Sequence, residues 1–93
     1  MTADAFFRMT VQDVFTIRSR GTVVTGQIES GTLSISDEIT ISRPGQASRA
    51  VVVSGIEIYR KVVQQAQAGD QVGVLLRGVE KQDVHKGDTL LGA

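Results

Sequence analysis

Apolar residues in this chain recur at every second position, in short runs separated by turn residues. The plainest run is RGTVVTGQIESG at residues 20–31. Thr22, Val24, Ile28 and Ser30 share one face, while Val23, Thr25, Gln27 and Glu29 share the other. β-Branched residues at period two, bounded by glycines, describe a half-buried strand. Gly26 in its middle implies a bend, a bulge or a backbone closely approached by another segment. Val23 is the odd residue, apolar yet pointing outward with the polar set.

Before this strand, Phe7, Met9 and Val11 alternate with their odd positions inward. The pattern breaks at Gln12-Asp13, where an unbroken register would bury a carboxylate at a high desolvation cost. A bulge there turns Val14 inward and sends Phe15 and Ile17 outward, to the side of Val23. Without it, Phe15 and Ile17 are buried and Val14 is exposed. Both registers fit the residues alone.

After the central strand, Leu33, Ile35, Ile39 and Ile41 share a parity around a turn at Ser36-Asp37-Glu38. Arg43-Pro44-Gly45-Gln46 is a loop, with Pro fixing φ and Gly free to take a positive one. Residues 50–53 begin a long strand whose inner parity Ile56 and Ile58 continue, leaving Glu57 and Tyr59 outside. Residues 64–70 read as a polar loop. Val72, Val74 and Leu76 then point inward, with Leu75 outward. Residues 79–86 are polar around Val84 and suit a helical turn, and Gly87-Asp88 leads into a last short strand at residues 89–91.

No segment of useful length carries a helical period. Short strands, 10 Gly and a single Pro describe an all-β domain, a small antiparallel sandwich or barrel, and of the two a closed barrel is expected. Closure also removes the exposed edges such a sequence must otherwise protect. Residues 6–93 form this one domain, and residues 1–5 read as a disordered leader or linker remnant.

Composition narrows the function. With no Trp, one Tyr and three Phe, the core is aliphatic. Ten basic and ten acidic residues cancel, which argues against holding nucleic acid by a dense basic face but leaves room for a local contact to an RNA end. The absence of Cys excludes disulfides and thiol chemistry and suits a cytoplasmic address. No apolar run approaches the roughly 20 residues of a membrane span, so no membrane partner is expected. The phosphate loop of a GTPase needs a Lys directly after a Gly, and none of Lys61, Lys81 or Lys86 has one. His85, the only His, reads as an exposed loop residue, and Asp83 with Asp88 lacks calcium-loop spacing. The sequence therefore describes no enzyme, no metal site and no cofactor of its own.

Two readings remain for the outward apolar residues Val23 and Leu75, joined by Phe15 and Ile17 if the bulge exists. They contact a neighbouring domain, with Glu57 and Arg60 as a weak surface pair. Alternatively, they seat an adenine against aliphatic side chains, with Glu57 accepting from a ribose hydroxyl and Arg60 facing a carboxyl-derived group.

The run Gln12-Asp13-Val14-Phe15 with RGTVVTG at 20–26 resembles the second domain of elongation factor Tu and related translational GTPases. Gly55-Ile56-Glu57, Arg60-Lys61, Ala68-Gly69-Asp70 and VGVLLRG at 72–78 extend the resemblance, in the family's order, from about Phe6 to Leu91. It implies a small closed antiparallel Greek-key β-barrel of about six strands that helps hold the aminoacylated 3′ end of tRNA. Glu57 then matches the acid at the terminal ribose and Arg60 the Arg near the aminoacyl ester. Ile17, Val23 and Leu75 match the apolar wall around the adenine, and Asp13 and Phe15 lie in the matching block. Gln71 stands where the family usually has Asn. The resemblance further implies a parent with a GTPase domain binding GTP and Mg, a further barrel, and the ribosome as an additional contact. On this view the chain is an excised piece of a translational GTPase rather than a free-standing barrel.

Overall fold

Each alternating run becomes a strand in the computed structural model, which describes residues 6–92. The leader expected at residues 1–5 lies outside the described residues. The strands are β1 (Arg8–Thr10), β2 (Asp13–Ile17), β3 (Gly21–Ser30), β4 (Thr32–Ser34) and β5 (Glu38–Ser42). They continue with β6 (Arg49–Ile58), β7 (Lys61–Val63), β8 (Gln65–Gln67), β9 (Gln71–Arg77) and β10 (Thr89–Leu91). One 3₁₀ turn, Lys81–Asp83, falls in the polar stretch after β9.

Six strands close a barrel in the order β1-β10-β5-β6-β9-β3 and back to β1, every neighbour antiparallel. β5, β6 and β9 pair in series and β10 returns to lie beside β5, which is the Greek-key order. The interior is aliphatic: Met9, Val24, Ile28, Val53, Ile56, Val74, Leu76 and Leu90 are all essentially without solvent contact.

The break at Gln12-Asp13 is real and is where the barrel turns a corner. β1 pairs with the far half of β3, at Met9↔Ile28, whereas β2 pairs with its near half, from Asp13↔Thr25 to Ile17↔Gly21. Between them the Val11 N–H donates to the Asp88 carbonyl and the Gln12 N–H to the Thr25 carbonyl. The parity shifts by one, so Val14 packs against the core and Phe15 and Ile17 are exposed. Gly26 lies beneath this crossing. A Cβ there would stand 2.4 Å from the Thr10 carbonyl oxygen.

Two sequence expectations fail. The inner parity of β6 is not continuous, because Val51 and Val53 are buried and so is Ile56. A register shift between Val53 and Gly55 opposite β9 inserts the extra residue, and the alternation resumes on the other parity. Residues 64–70 are not simply a loop either. β8 lies there, paired with β4 through Leu33↔Ala66, and Ala66 is buried. A three-residue strand with one small apolar residue among glutamines has no legible period.

Among the described residues two polar side chains are buried. The Thr22 hydroxyl donates to the Val79 carbonyl at 2.6 Å, fastening β3 to the segment after β9. Thr22→Val keeps the shape and strands that carbonyl, so we expect a loss of about 1–3 kcal/mol in a urea titration. The second, Asp88, is 3% exposed and takes a bidentate grip from Arg43, Nε to Oδ1 and Nη2 to Oδ2, both at 2.8 Å. Arg43 foremost, aided by the His85 backbone N–H, holds the Asp88 carboxyl below the usual carboxylate range.

Candidate functional site

The expected site residues are scattered in sequence, and the ladder β2-β3-β9-β6 collects them. On its outer side Phe15, Val23, Leu75 and Gly55 stand in register as one row, and Asp13, Thr25, Gly73 and Glu57 as the next. The first row is apolar; the second has acids at its ends and a glycine near the middle. A Cβ on Gly73 would meet only the Val23 Cγ1, at 3.5 Å, so the missing side chain leaves a recess beside Glu57.

That recess is a cleft of about 250 Å³. Val23, Glu57, Arg60 and Gln71 line it together, with Tyr59 and Thr25. Leu75 flanks it as the half-buried cross-strand neighbour of Val23, and Phe15, 50% exposed, continues the apolar row on the other side. Ile17 sits opposite Gly21 at the end of β2, two positions beyond Phe15. Asp13 does not join the cleft. It opens onto a separate groove shared with Lys81 and His85.

Polar contacts refine the picture. Glu57 pairs with Arg20, not with Arg60: Arg20 Nη1 lies 3.5 Å from Glu57 Oε2. Both side chains stay more than a third exposed, so the pair stabilises little. Sequence reasoning missed Arg20 because its approach to β6 depends on the 17–20 turn, closed by the Arg20 N–H on the Ile17 carbonyl. Gln71 Nε2 donates to Gln12 Oε1 at 2.8 Å, tying the start of β9 to the corner between β1 and β2.

Arg60 and Tyr59 occupy the two-residue link between the paired residues Ile58 and Lys61. Both have left-handed backbones, with φ of 50° at Tyr59 and 67° at Arg60. This is the two-positive geometry of a type I′ hairpin, which favours Asn-Gly. Side chains with a Cβ pay about 1–2 kcal/mol each for it.

Among the described residues no group of three or more His, Cys, Asp or Glu is placed to hold a metal ion. His85 is exposed and engages Asp88 through its backbone N–H. No helix among the described residues is long and apolar enough to cross a membrane.

Residues 21–91, from the start of β3 to the end of β10, match the family model described as elongation factor Tu domain 2. The chain belongs to that family. The closed antiparallel barrel is the architecture expected of it, and as a domain 2 the chain is a translation-factor module. Val23, Glu57, Arg60, Gln71 and Leu75 lie within the matched residues, whereas Asp13, Phe15 and Ile17 precede them.

Proposed function

We propose that this domain 2 works within an elongation factor Tu-like translational GTPase in the cytoplasm, where it helps hold the aminoacylated 3′ end of tRNA during elongation. The observation that carries the reading is the convergence of Val23 from β3, Glu57 from β6, Arg60 from the hairpin tip and Gln71 from β9 on one recess. The Val23–Leu75 pair offers an aliphatic bed for the terminal adenine, and Phe15 extends the apolar row beyond it. Arg20 engages one oxygen of Glu57, leaving Oε1 to accept from a ribose hydroxyl. Arg60 faces the aminoacyl ester. A chain of zero net charge binds such an end through these few contacts rather than through bulk attraction. GTP and Mg belong, on this reading, to the GTPase domain of the same factor, and the further barrel and the ribosome are its other partners.

The test is Glu57→Ala in a full-length translational GTPase carrying this domain. Affinity for charged tRNA should fall about tenfold, the worth of one hydrogen bond to a charged group. GTP affinity should stay within about twofold. Equal charged-tRNA affinity in both proteins would refute the reading. The exposed Phe15 and Ile17 would then favour a second one, in which the apolar row docks a neighbouring domain.

A further inference from the structure

We infer that Tyr59 is an aromatic cover for the cleft, stacking on the face of a purine that the aliphatic Val23–Leu75 side leaves open. The inference rests on the reading of the cleft as an adenosine site and assigns it a residue outside the set singled out above. Tyr59 is 86% exposed, so folding makes little use of its ring. Yet it is held in a left-handed backbone, next to a second left-handed non-glycine residue, at a hairpin tip where Asn-Gly would sit without strain. Fold stability does not account for an aromatic residue at that position; a ligand does.

Placement agrees. The tip follows Glu57 by two residues, and the pairs Ile56↔Val63, Glu57↔Val62 and Ile58↔Lys61 fix it to the carboxylate. Tyr59 borders the cleft with Glu57 and Arg60, while Val23 supplies an apolar wall. Phe15 lies on the far side of Val23, so among the described residues Tyr59 is the one aromatic residue lining the recess. Glu57 and Arg60 in the lining, with Arg20 paired to Glu57, leave this cleft with no more than about one net positive charge. That suits an uncharged nucleoside ester better than a polyphosphate, whose charge would call for several cations. A flat base between aliphatic and aromatic surfaces is the ligand this arrangement fits.

The test titrates the 93-residue chain with 3′-aminoacylamino-3′-deoxyadenosine, a non-hydrolysable amide analogue, by NMR. The chain has one Tyr and no Trp, so the Tyr59 ring gives a single tyrosine spin system. In the parent chain and in Tyr59→Phe, the adenine H2 and H8 signals should move upfield on binding, with dissociation constants within about twofold. Tyr59→Asn should bind about tenfold more weakly, the usual loss for one stacking partner, and show no upfield shift. Its thermal midpoint should equal or exceed that of the parent chain, because Asn tolerates the left-handed backbone. A Tyr59→Asn chain that binds with parental affinity, or keeps the upfield shift, overturns the inference. If Glu57→Ala weakens binding and Tyr59→Asn does not, the cover falls while the adenosine reading stands. If the parent chain binds no analogue at millimolar concentration, both fall.

Discussion

Gly26→Val should destabilise the barrel by about 3 kcal/mol or more, read as a drop in the urea midpoint. An ideal Cβ at this position stands 2.4 Å from the Thr10 carbonyl oxygen and 3.2 Å from two Met9 side-chain atoms. The nearest obstacle is backbone, which cannot swing aside, so relief requires β1 to lift from β3. Overpacking at rigid sites typically costs about 1–3 kcal/mol, and a valine adds two methyl groups to the clash. For a domain of this size each kcal/mol lowers Tm by about 4–8 °C, so the loss is easily measured. Gly55→Ala is the matched control: its Cβ would meet Leu75 at 3.4 Å, an ordinary contact, and we expect a change within about 1 kcal/mol. Equal effects at the two glycines would show that the close approach at Gly26 is not what excludes a side chain.

Arg43→Ala should cost about 3 kcal/mol at pH 7 and much less in acid. The substitution leaves Asp88, 3% exposed, as a buried carboxylate held by the backbone alone. Removing one partner of a buried pair costs about 3–5 kcal/mol, and the lower end applies because the Arg43 side chain is itself 31% exposed. The pH dependence follows from the lowered pKa of Asp88. A carboxyl with a depressed native pKa contributes stability above its unfolded pKa, near 3.9. It loses that contribution as pH falls from there through the native value. Parent and variant should thus converge between pH 4 and the acid limit, as Asp88 is protonated in both. A gap of constant size down to about pH 2 would show that Arg43 acts through packing of its stem, not through the charge pair.

The barrel was legible because its inward positions are nearly all aliphatic and alternate strictly: Val72, Val74 and Leu76 on β9 could hardly point anywhere else. The bulge at Gln12-Asp13 was legible as a choice, since only one of the two registers spares Asp13 from burial. Ser54-Gly55 carries no such penalty in either register, so its parity switch was invisible until the β9 pairing displayed it. Tertiary polar contacts were not legible at all. Arg43 lies in a loop that sequence treats as filler, yet it meets Asp88 from 45 residues away. Arg20 likewise reaches Glu57 only because a turn folds it back. Of the candidate site, Val23, Glu57, Arg60 and Gln71 do converge on one cleft, while Asp13 opens onto another groove.

The seam formed by β1 has a consequence for how the chain assembles. β1 registers with β10 through Arg8↔Leu91, so the ring cannot shut until nearly the last strand has been synthesised. The β3-β9-β6 ladder that carries the cleft needs only the residues up to Arg77. During vectorial synthesis the recess can therefore form while the apolar lumen still has an unzipped side. Long-range closures of this kind set slow folding rates, because the loop entropy is spent before the contacts repay it. The cleft is built early and the container around it is sealed last.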